Sequence, residues 1–491
     1  MINNLCRRLT NNIDIRQTLS SLRQEIKYPD NAEILHLWLD DKSLDLSLFL
    51  KNEDAKTRKN AALLMGQLSR PEFAKPLFEA YQKEDTLFVR DSYLTALQHL
   101  DASPYLDDLK ERLAELSKIK LTPETKKHLE KEMHSLTDLI FSIEGGTNRQ
   151  FHSRNETFHC VFLTNPLYPD ITKDQMDEMD AESFRSGVRV TTDHLQPLLL
   201  IRTYNEVLFR IPNMAFCKPD PVAAAKTIAD SELLDLLSKT HDGTFPFYFR
   251  IGIKNRMTLE QRSAFTKKLA SEIESATGRK LVNSTSHYEI ELRMIEGKSG
   301  NYHILVKFHT IKDRRFSYRK EHLAASIKPV NAALLVELAK EYMLPDAQVL
   351  DPFCGVGTML IERQKVIKAN TSYGIDIYED AIEKAKVNTE AAHQIIHYIN
   401  KDSFQFSHEY SFDEIFTDMP FAMGQKTQEE IYDIYQEFFP MAKRLLTPEG
   451  TIILYTRDRD YVLELSQKYH FNVIKEFLIT KKPESYLMIL R

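Results

Sequence analysis

The sequence from Val349 to Glu362 reads VLDPFCGVGTMLIE. Its apolar start predicts the end of a buried strand, and the residues from Thr358 onward have helical spacing. Between them lie Gly355 and Gly357, which allow the backbone to approach a ligand without a Cβ in the way. The following helix directs its free N-terminal amides toward the same place. A strand, a glycine turn and a helix in this order predict the first unit of a dinucleotide-type α/β fold.

Two further predicted strands each lead to an acidic residue that suits a nucleoside ligand. SYGIDI (372–377) contains Asp376, about 20 residues after the glycine turn, where a carboxylate can accept hydrogen bonds from ribose hydroxyls. HYINKD (397–402) is predicted as a strand that ends in Asp402, whose carboxylate can accept from an adenine amino group. Alternating strands and helices predict a Rossmann-like α/β domain with a seven-stranded sheet over residues 328–491.

A fourth predicted strand, FDEIFTD (412–418), ends at Asp418 and is followed by Met419, Pro420 and Phe421. Ligands of open α/β sheets bind at the carboxyl ends of the strands, so we expect this tetrad beside the cofactor. The exocyclic amine of a nucleobase is a poor nucleophile, because its lone pair is delocalised into the ring. The Asp418 carboxylate and the Met419 carbonyl can accept hydrogen bonds from its N–H groups and free that lone pair. Pro420 fixes the turn, and Phe421 can stack on an extruded base. The alternative is that these four residues have only a structural role, as a strand that ends in a capped turn.

The segments DPFCGVGT and GIDI, with Ala385 and Asn388, resemble class I methyltransferases. This resemblance implies S-adenosylmethionine as the cofactor, with its methionine end on the glycine turn, its ribose on Asp376 and its adenine on Asp402. The residues that it assigns to cofactor binding are Asp351, Phe353, Gly355, Gly357, Thr358, Asp376, Ile377, Asp402 and Ser403. No metal site is expected, because the cysteines show no metal-binding spacing.

The tetrad resembles the Asn/Asp-Pro-Pro-Tyr motif of amino-methyltransferases, and its Asp-aliphatic-Pro-Phe form is similar to THUMP-bearing guanine-N2 methyltransferases. Many of those have glycine directly after phenylalanine, whereas Ala422 and Met423 precede Gly424 here. The resemblance implies an RNA methyltransferase that acts on guanosine N2, preferentially in tRNA. Ribosomal RNA, adenine N6 in DNA, and a scaffold without turnover are the alternatives.

Residues 157–310 show an α+β pattern. Strand-like segments (TFHCVFLT, SGVRVTT and PLLLIRTYNEVLFRI) precede a strand–helix–strand–strand module over 245–310. Within this region LIRTYNEVLFRI, FYFRIGIKNR and LVNSTSHYEIELRMI resemble a THUMP domain and the ferredoxin-like subdomain that accompanies it. The resemblance implies RNA binding.

A basic segment, KFHTIKDRRFSYRK (307–320), has six Lys or Arg residues and one Asp, interleaved with aromatic residues. Cations and aromatic rings can contact phosphates and stack on unpaired bases. The segment overlaps a predicted basic linker at 311–327, and the alternative is a strand end with a solvated charged turn. The predicted RNA-binding residues are Arg314, Arg315, Phe316, Arg319 and Lys320.

Residues 1–145 are predicted to be helical. Segments that begin at Asp54 and Asp85 match each other, with Arg58 and Arg90 in equivalent positions. Two helices per repeating unit resemble HEAT-type repeats, and a plain helical bundle is the alternative. We hypothesise that this region binds a protein partner or extends the RNA-binding surface.

The composition of the chain sets limits on its class. The 491 residues carry a net charge of −6, with 28% charged residues and four widely spaced cysteines. The N-terminal residues lack the apolar stretch of a secretory signal, and no apolar run is long enough to span a membrane. We therefore expect a cytoplasmic protein without disulfides and without a membrane partner.

Overall fold

The computed structural model describes residues 1–119, 122, 124–144, 149–153, 156–176, 179–214, 216–422 and 426–491. Much of the predicted linker at 145–156 lies outside these residues. The chain forms two compact units: the first contains Met1–Arg149, Pro246–Phe249 and Ile273–Glu289, and the second contains the remainder. In the described ranges, no helix combines the length and the apolar character needed to cross a membrane.

The N-terminal part of the first unit is helical, as predicted. Its helices are α1 (Ile2–Thr10), α2 (Ile15–Glu25), α3 (Pro29–Asp40), α4 (Ala55–Leu68), α5 (Ala74–Lys83), α6 (Leu87–Leu97), α7 (Leu106–Lys118) and α8 (Lys126–Glu144). Helix α4 packs closely on α6 at Gly66. A Cβ added to Gly66 would lie 2.6 Å from the Ala96 Cα, so the close packing requires glycine there. Each of the two matched segments thus contributes one helix of a tightly packed pair, while their HEAT-like character stays a prediction.

The two arginines of the predicted repeat bind buried carboxylates of the first unit. Arg58 Nη2 lies 2.7 Å from Glu84 Oε1, and Arg90 Nη1 lies 3.2 Å from Glu132 Oε1. Both glutamates are buried. Since a buried charge is costly unless it is paired, these arginines stabilise the helical region.

The middle of the chain alternates between strands and short helices. These are β1 (Phe158–Thr164), α9 (Pro169–Lys173), β2 (Ala181–Phe184), β3 (Gly187–Thr192), α10 (Leu195–Leu198), β4 (Tyr204–Arg210), α11 (Pro221–Ala229), α12 (Leu233–Thr240), β5 (Phe247–Lys254), α13 (Leu259–Ala276), β6 (Leu281–Asn283), β7 (Ile290–Glu296) and β8 (Tyr302–Phe308). In the second unit the strand order is β2-β3-β1-β4-β8-β7-β5. In the first unit, residues 247–249 of β5 pair in parallel with β6.

One strand prediction in this region was too long. Within PLLLIRTYNEVLFRI only Tyr204–Arg210 is a strand; Pro197 and Leu198 belong to the short helix α10, and residues 199–203 form neither helix nor strand. Pro197 explains the difference, because it has no N–H to donate to a sheet ladder. The predicted module from 245 to 310 has its helix at α13 and its three predicted strands at β5, β7 and β8, and it also contains the short strand β6, which was not predicted.

The C-terminal part of the second unit contains a seven-stranded sheet. Its elements are α14 (Pro329–Ala339), β9 (Gln348–Asp351), α15 (Thr358–Val366), β10 (Thr371–Asp376), α16 (Glu379–Ala391), β11 (His397–Asn400), β12 (Phe412–Asp418), α17 (Gln428–Leu445), β13 (Leu446–Thr456), α18 (Arg459–Lys468), β14 (Val473–Lys481) and β15 (Glu484–Leu490). The strand order is β11-β10-β9-β12-β13-β15-β14. Strand β15 is antiparallel to its neighbours, whereas β9 to β13 pair in parallel.

Local side-chain chemistry fixes the ends of several elements around the sheet. Thr427 and Glu430 form a capping box that begins α17. Strand β11 ends at Asn400, two residues before the predicted end at Asp402. The Asp402 carboxylate instead accepts a hydrogen bond from Phe404 N at 3.0 Å and caps a short 3₁₀ turn.

Candidate active site

The carboxyl ends of the central strands enclose a cleft of about 560 Å³. Strand β9 lies between β10 and β12. The strand order reverses at β9, with β10 and β11 on one side and β12 and β13 on the other, and open α/β sheets form a crevice at such a point. All four tetrad residues line the cleft, as do seven of the nine predicted cofactor residues. Those seven are Phe353, Gly355, Thr358, Asp376, Ile377, Asp402 and Ser403. The lining set does not include Asp351 and Gly357.

The two glycines of the turn have different roles. Both have positive φ, +51° at Gly355 and +80° at Gly357, which favours glycine. A Cβ added at Gly357 would lie 2.2 Å from Tyr398 Oη, so close packing requires glycine there. A Cβ added at Gly355 would meet nothing within 4 Å. Gly355 therefore leaves space on the side of the turn that faces the cleft.

Asp376 ends β10 and joins the second strand to the glycine turn. Its Oδ2 accepts from Gly355 N at 3.0 Å, and its Oδ1 accepts from Tyr378 N at 2.9 Å. Burial raises the pKa of Asp376, while its backbone hydrogen bonds lower it. Each carboxylate oxygen has a further acceptor site, so Asp376 can also accept from ribose hydroxyls.

Asp351 lies fully buried behind the cleft. Its Oδ1 accepts from Thr417 Oγ1 at 2.6 Å and from Phe353 N at 3.1 Å. Its Oδ2 is buried and has no hydrogen-bond partner among the residues that the structure describes. Burial raises the pKa of Asp351 to about 7. A buried acceptor without a partner suits a ligand donor such as an ammonium group.

These residues fit a nucleoside that carries an amino-acid tail. Asp376 offers acceptors to ribose hydroxyls, Gly355 leaves room beside the turn, and Asp351 Oδ2 offers an acceptor for an ammonium group. S-adenosylmethionine has ribose hydroxyls, an ammonium group and a chain that fits beside the turn, so the residues of the cleft fit this cofactor.

The tetrad is held by the sheet beside this cleft. Asp418 is the last residue of β12, and Met419 N donates to Tyr455 O of β13 at 2.9 Å. Burial and the nearby Asp351 carboxylate raise the pKa of Asp418 to about 8, and the Arg457 guanidinium lowers it. Met423 and Gly424, where the sequence departs from the family pattern, lie outside the described residues.

Two cations at the cleft were missed by sequence reasoning. The guanidinium carbon of Arg457 lies 3.6 Å from the centroid of the Phe421 ring, which is cation–π distance. Lys426 lines the cleft, and its charge lowers the pKa of Asp376. Arg457 directly follows β13, so the rule that loops after strands face the ligand could have identified it.

Arg315, one of the predicted RNA-binding residues, lies inside the fold. Its side chain is buried and forms an ion pair with Asp313 at 2.7 Å. Its Nη1 donates to the carbonyl oxygens of Ile201 and Tyr204 at 3.3 and 2.6 Å. These bonds occupy the guanidinium and keep it from phosphates, so Arg315 has a structural role.

The other residues of the basic segment divide into two groups. Arg319 is half-buried, and its Nη1 donates to Ile327 O at 3.1 Å and to Thr358 Oγ1; its contact with RNA stays a prediction. Phe316 is half-buried under the Arg202 guanidinium. Arg314 and Lys320 are exposed, and their contact with RNA stays a prediction.

The raised pKa values predict that the protein loses stability as pH increases. The ordinary pKa of aspartate is 3.8, against about 7 for Asp351 and about 8 for Asp418 in the fold. Between these values the folded state binds more protons than the unfolded state. The free energy of unfolding should therefore fall as the pH rises from about 4 to about 8.

Denaturant unfolding at a series of pH values measures this effect. The variant Asp418→Asn does not titrate at this position, so its free energy of unfolding should depend less on pH in the same range. Parallel curves for the wild type and the variant would show that Asp418 does not have a raised pKa.

Comparisons with known proteins agree with the fold of the C-terminal region. Residues 317–482 match the family UPF0020, described as an RMKL-like methyltransferase domain. A tRNA (guanine(10)-N2)-dimethyltransferase of Pyrococcus abyssi is 27% identical over 183 residues, which cover 35% of this chain and 53% of that protein. The chain thus matches about half the length of this curated relative.

Two solved structures share the fold over a longer part of the chain. TrmN from Thermus thermophilus is 19% identical with a TM-score of 0.52, and the match covers 68% of this chain and 99% of TrmN. SMU.472, crystallised with SAH, is 13% identical with a TM-score of 0.54, and the match covers 68% and 98%. The C-terminal region thus matches a methyltransferase family over residues 317–482 and shares the fold of these two structures. It is similar in sequence to an enzyme of the tRNA guanine-N2 type.

Proposed function

We propose that this protein transfers a methyl group to the exocyclic N2 of a guanosine in RNA, with tRNA as the preferred substrate. The observation that carries the proposal is the position of Asp418. Its carboxylate lies at the tip of β12 on the same cleft as Asp376 and the glycine turn. The amine acceptor and the nucleoside site therefore share one cavity.

The residues of this chain supply positioning and proton handling. Asp376 binds the ribose hydroxyls of the cofactor, and Asp351 Oδ2 binds its ammonium group. Bound there, S-adenosylmethionine supplies an electrophilic methyl group. The Asp418 carboxylate and the Met419 carbonyl accept the two N–H groups of the base amine, which frees the nitrogen lone pair. With a pKa of about 8, the fraction of Asp418 in the carboxylate form can take up the proton that the amine releases, and this fraction grows as the pH rises toward 8.

Phe421 holds the base in this arrangement. The guanidinium carbon of Arg457 lies 3.6 Å from the centroid of the Phe421 ring, so Arg457 covers one face of this ring. We infer that the extruded base stacks on the opposite face, as aromatic side chains do in enzymes that act on bases outside a helical stack. The guanidinium fixes the ring and adds a positive charge at the mouth of the cleft.

The choice of RNA rests on sequence similarity and on charge. The curated relative is named for guanine N2 in tRNA. Arg314 and Lys320 are exposed on the basic segment, where they can contact phosphates. We propose that residues 157–310 bind RNA in the manner of a THUMP domain and that the helical region 1–145 binds a protein partner or more RNA. A cytoplasmic location stays a prediction.

Mass spectrometry of nucleosides tests the proposal. Purified protein and S-adenosylmethionine are incubated with unmodified tRNA, ribosomal RNA or DNA, and the nucleosides are quantified. We expect N2-methylguanosine in tRNA. The same product in ribosomal RNA alone would change the substrate, and N6-methyladenosine would change the target atom. Cofactor binding without transfer to any of the three would favour a scaffold.

A further inference from the structure

Arg457 carries a positive charge at the carboxyl edge of the sheet. It is exposed, and among the residues that the structure describes it forms no ion pair and no hydrogen bond. The neighbouring Arg459 differs, because its Nε lies 2.8 Å from Glu476 Oε2. A guanidinium has five N–H donors, and contact with the face of an aromatic ring leaves donors available at its edge. Arg457 can therefore bind an anion without giving up an existing partner.

Two contacts fix the position of this guanidinium beside the tetrad. Its carbon lies 3.6 Å from the centroid of the Phe421 ring. Arg457 also directly follows β13, and the hydrogen bond from Met419 N to Tyr455 O joins β13 to the tetrad. Since Phe421 lines the cleft, only the thickness of an aromatic ring separates Arg457 from the place where we propose that the base stacks.

The acidic residues of the same loop bind other partners. Asp458 Oδ1 accepts a hydrogen bond from Gln428 Nε2 at 2.6 Å. Asp460 Oδ1 lies 3.8 Å from Arg459 Nη1. Arg457 shares with these four residues the wall of a second cavity, of about 380 Å³. Neither aspartate neutralises Arg457, so its charge is available to an anion that reaches the mouth of the cleft.

The ligand that the proposed function brings to this place is anionic. An RNA base that enters the cleft must leave its stack, while its ribose and the phosphates on either side stay outside the pocket. A base stacked on Phe421 therefore brings a phosphate to the mouth of the cleft, where Arg457 contacts the same ring. Arginine suits such a contact, because its planar set of N–H groups matches the oxygens of a phosphate.

We propose that Arg457 binds a phosphate of the RNA backbone next to the target guanosine while it holds the Phe421 ring. This inference rests on the proposed function and assigns it a residue that binds the RNA backbone. One side chain thereby links the position of the backbone to the position of the stacked base. Loss of Arg457 should weaken RNA binding and leave cofactor binding unchanged.

The salt dependence of RNA binding tests this contact. The Kd for an unmodified tRNA transcript is measured at a series of NaCl concentrations, with the full-length protein saturated with S-adenosylhomocysteine. Each phosphate contact contributes about 0.7 to 0.9 to the slope of log Kd against log salt concentration. In Arg457→Gln we expect the slope to fall by about this amount and the Kd at low salt to rise about tenfold.

Three further variants separate the charge of Arg457 from its packing. Arg457→Lys retains the charge and should keep the wild-type slope, which a role confined to the Phe421 ring does not predict. Arg457→Met removes the charge and keeps an apolar side chain against the ring, so it replaces Arg457→Gln if that variant fails to fold. Lys386→Gln removes an exposed charge from α16 and should leave the slope unchanged.

Titration with S-adenosylhomocysteine shows that each variant keeps its cofactor site. A wild-type slope in a folded variant without the Arg457 charge, or an equal fall in Lys386→Gln, would overturn the proposal. So would a loss of affinity for S-adenosylhomocysteine in both Arg457→Gln and Arg457→Met, since it would assign the guanidinium to the cofactor. A wild-type protein that does not bind the transcript would contradict the proposed function itself, and the comparison of slopes among variants cannot produce that result.

Discussion

Replacing Asp418 with alanine should lower the rate of methyl transfer by about three orders of magnitude while the protein still binds its cofactor. The substitution removes both acceptor oxygens at the tip of β12, so the base amine keeps its lone pair delocalised in the ring. No hydrogen bond from another described residue reaches the Asp418 side chain. The backbone bond from Met419 N to Tyr455 O should therefore hold the rest of the tetrad in place.

Asp418→Asn separates the two tasks of this side chain. Asparagine retains one carbonyl oxygen that can accept an N–H group, but it cannot take up a proton. We expect a loss between about 10-fold and 100-fold. With a pKa of about 8, wild-type kcat/KM should rise with pH and level off above that value, because the carboxylate is the active form. This limb of the pH profile should be absent in the asparagine variant.

Single-turnover rates with saturating cofactor measure both effects, and titration with S-adenosylhomocysteine shows that the site is intact. Asp433→Ala removes an exposed carboxylate from α17 and serves as the matched control. If Asp418→Ala retained activity within about tenfold of the wild type, the carboxylate would not be the acceptor that activates the amine.

The cofactor side of the cleft was predictable because its residues come from neighbouring parallel strands. Asp351, Asp376 and Asp418 each lie where an apolar run ends, and in a parallel sheet those ends meet at one edge. The glycine turn follows the carboxyl end of the first strand, so it identifies the edge of the sheet at which the site lies. Strand order and strand ends therefore gave these positions without knowledge of side-chain packing.

The sequence could not show which side chains of the basic segment are exposed, because several of their contacts span long sequence separations. Arg315 reaches the carbonyl of Ile201, which is 114 residues away in the sequence. Tyr318 of the same segment donates to Glu362, which also binds Arg202, 160 residues away in the sequence. A run of arginines and aromatics has the same composition whether it faces solvent or fills such a network. Only tertiary contacts distinguish the two, and they leave Arg314 and Lys320 exposed.

The largest loss of stability is expected from Glu414→Ala. Glu414 of β12 and Arg363 of α15 are both at most 1% exposed, and the guanidinium donates to the two carboxylate oxygens at 3.0 Å each. Removing the carboxylate leaves a buried guanidinium without its counter-ion, which should cost about 3–5 kcal/mol. This is a large part of the total stability of an ordinary domain.

Denaturant unfolding measures this cost. Glu383→Ala breaks an exposed ion pair with Lys386 on α16 and should cost less than about 1 kcal/mol, which makes it the matched control. The double variant Arg363→Met, Glu414→Leu removes both charges and should recover much of the loss. Equal costs for Glu414→Ala and Glu383→Ala would show that the buried pair does not stabilise the fold.

The position of this pair links stability to the chemistry of the cleft. Helix α15 begins at Thr358, beside the glycine turn and Arg319, and β12 ends at Asp418. The Arg363–Glu414 ion pair therefore joins the helix that follows the glycine turn to the strand that carries the proposed amine acceptor, Asp418. Methyl transfer requires the two reacting groups in one geometry, and small displacements are costly. Folded molecules of Glu414→Ala should thus lose transfer rate in addition to stability, whereas the double variant should recover stability more fully than rate.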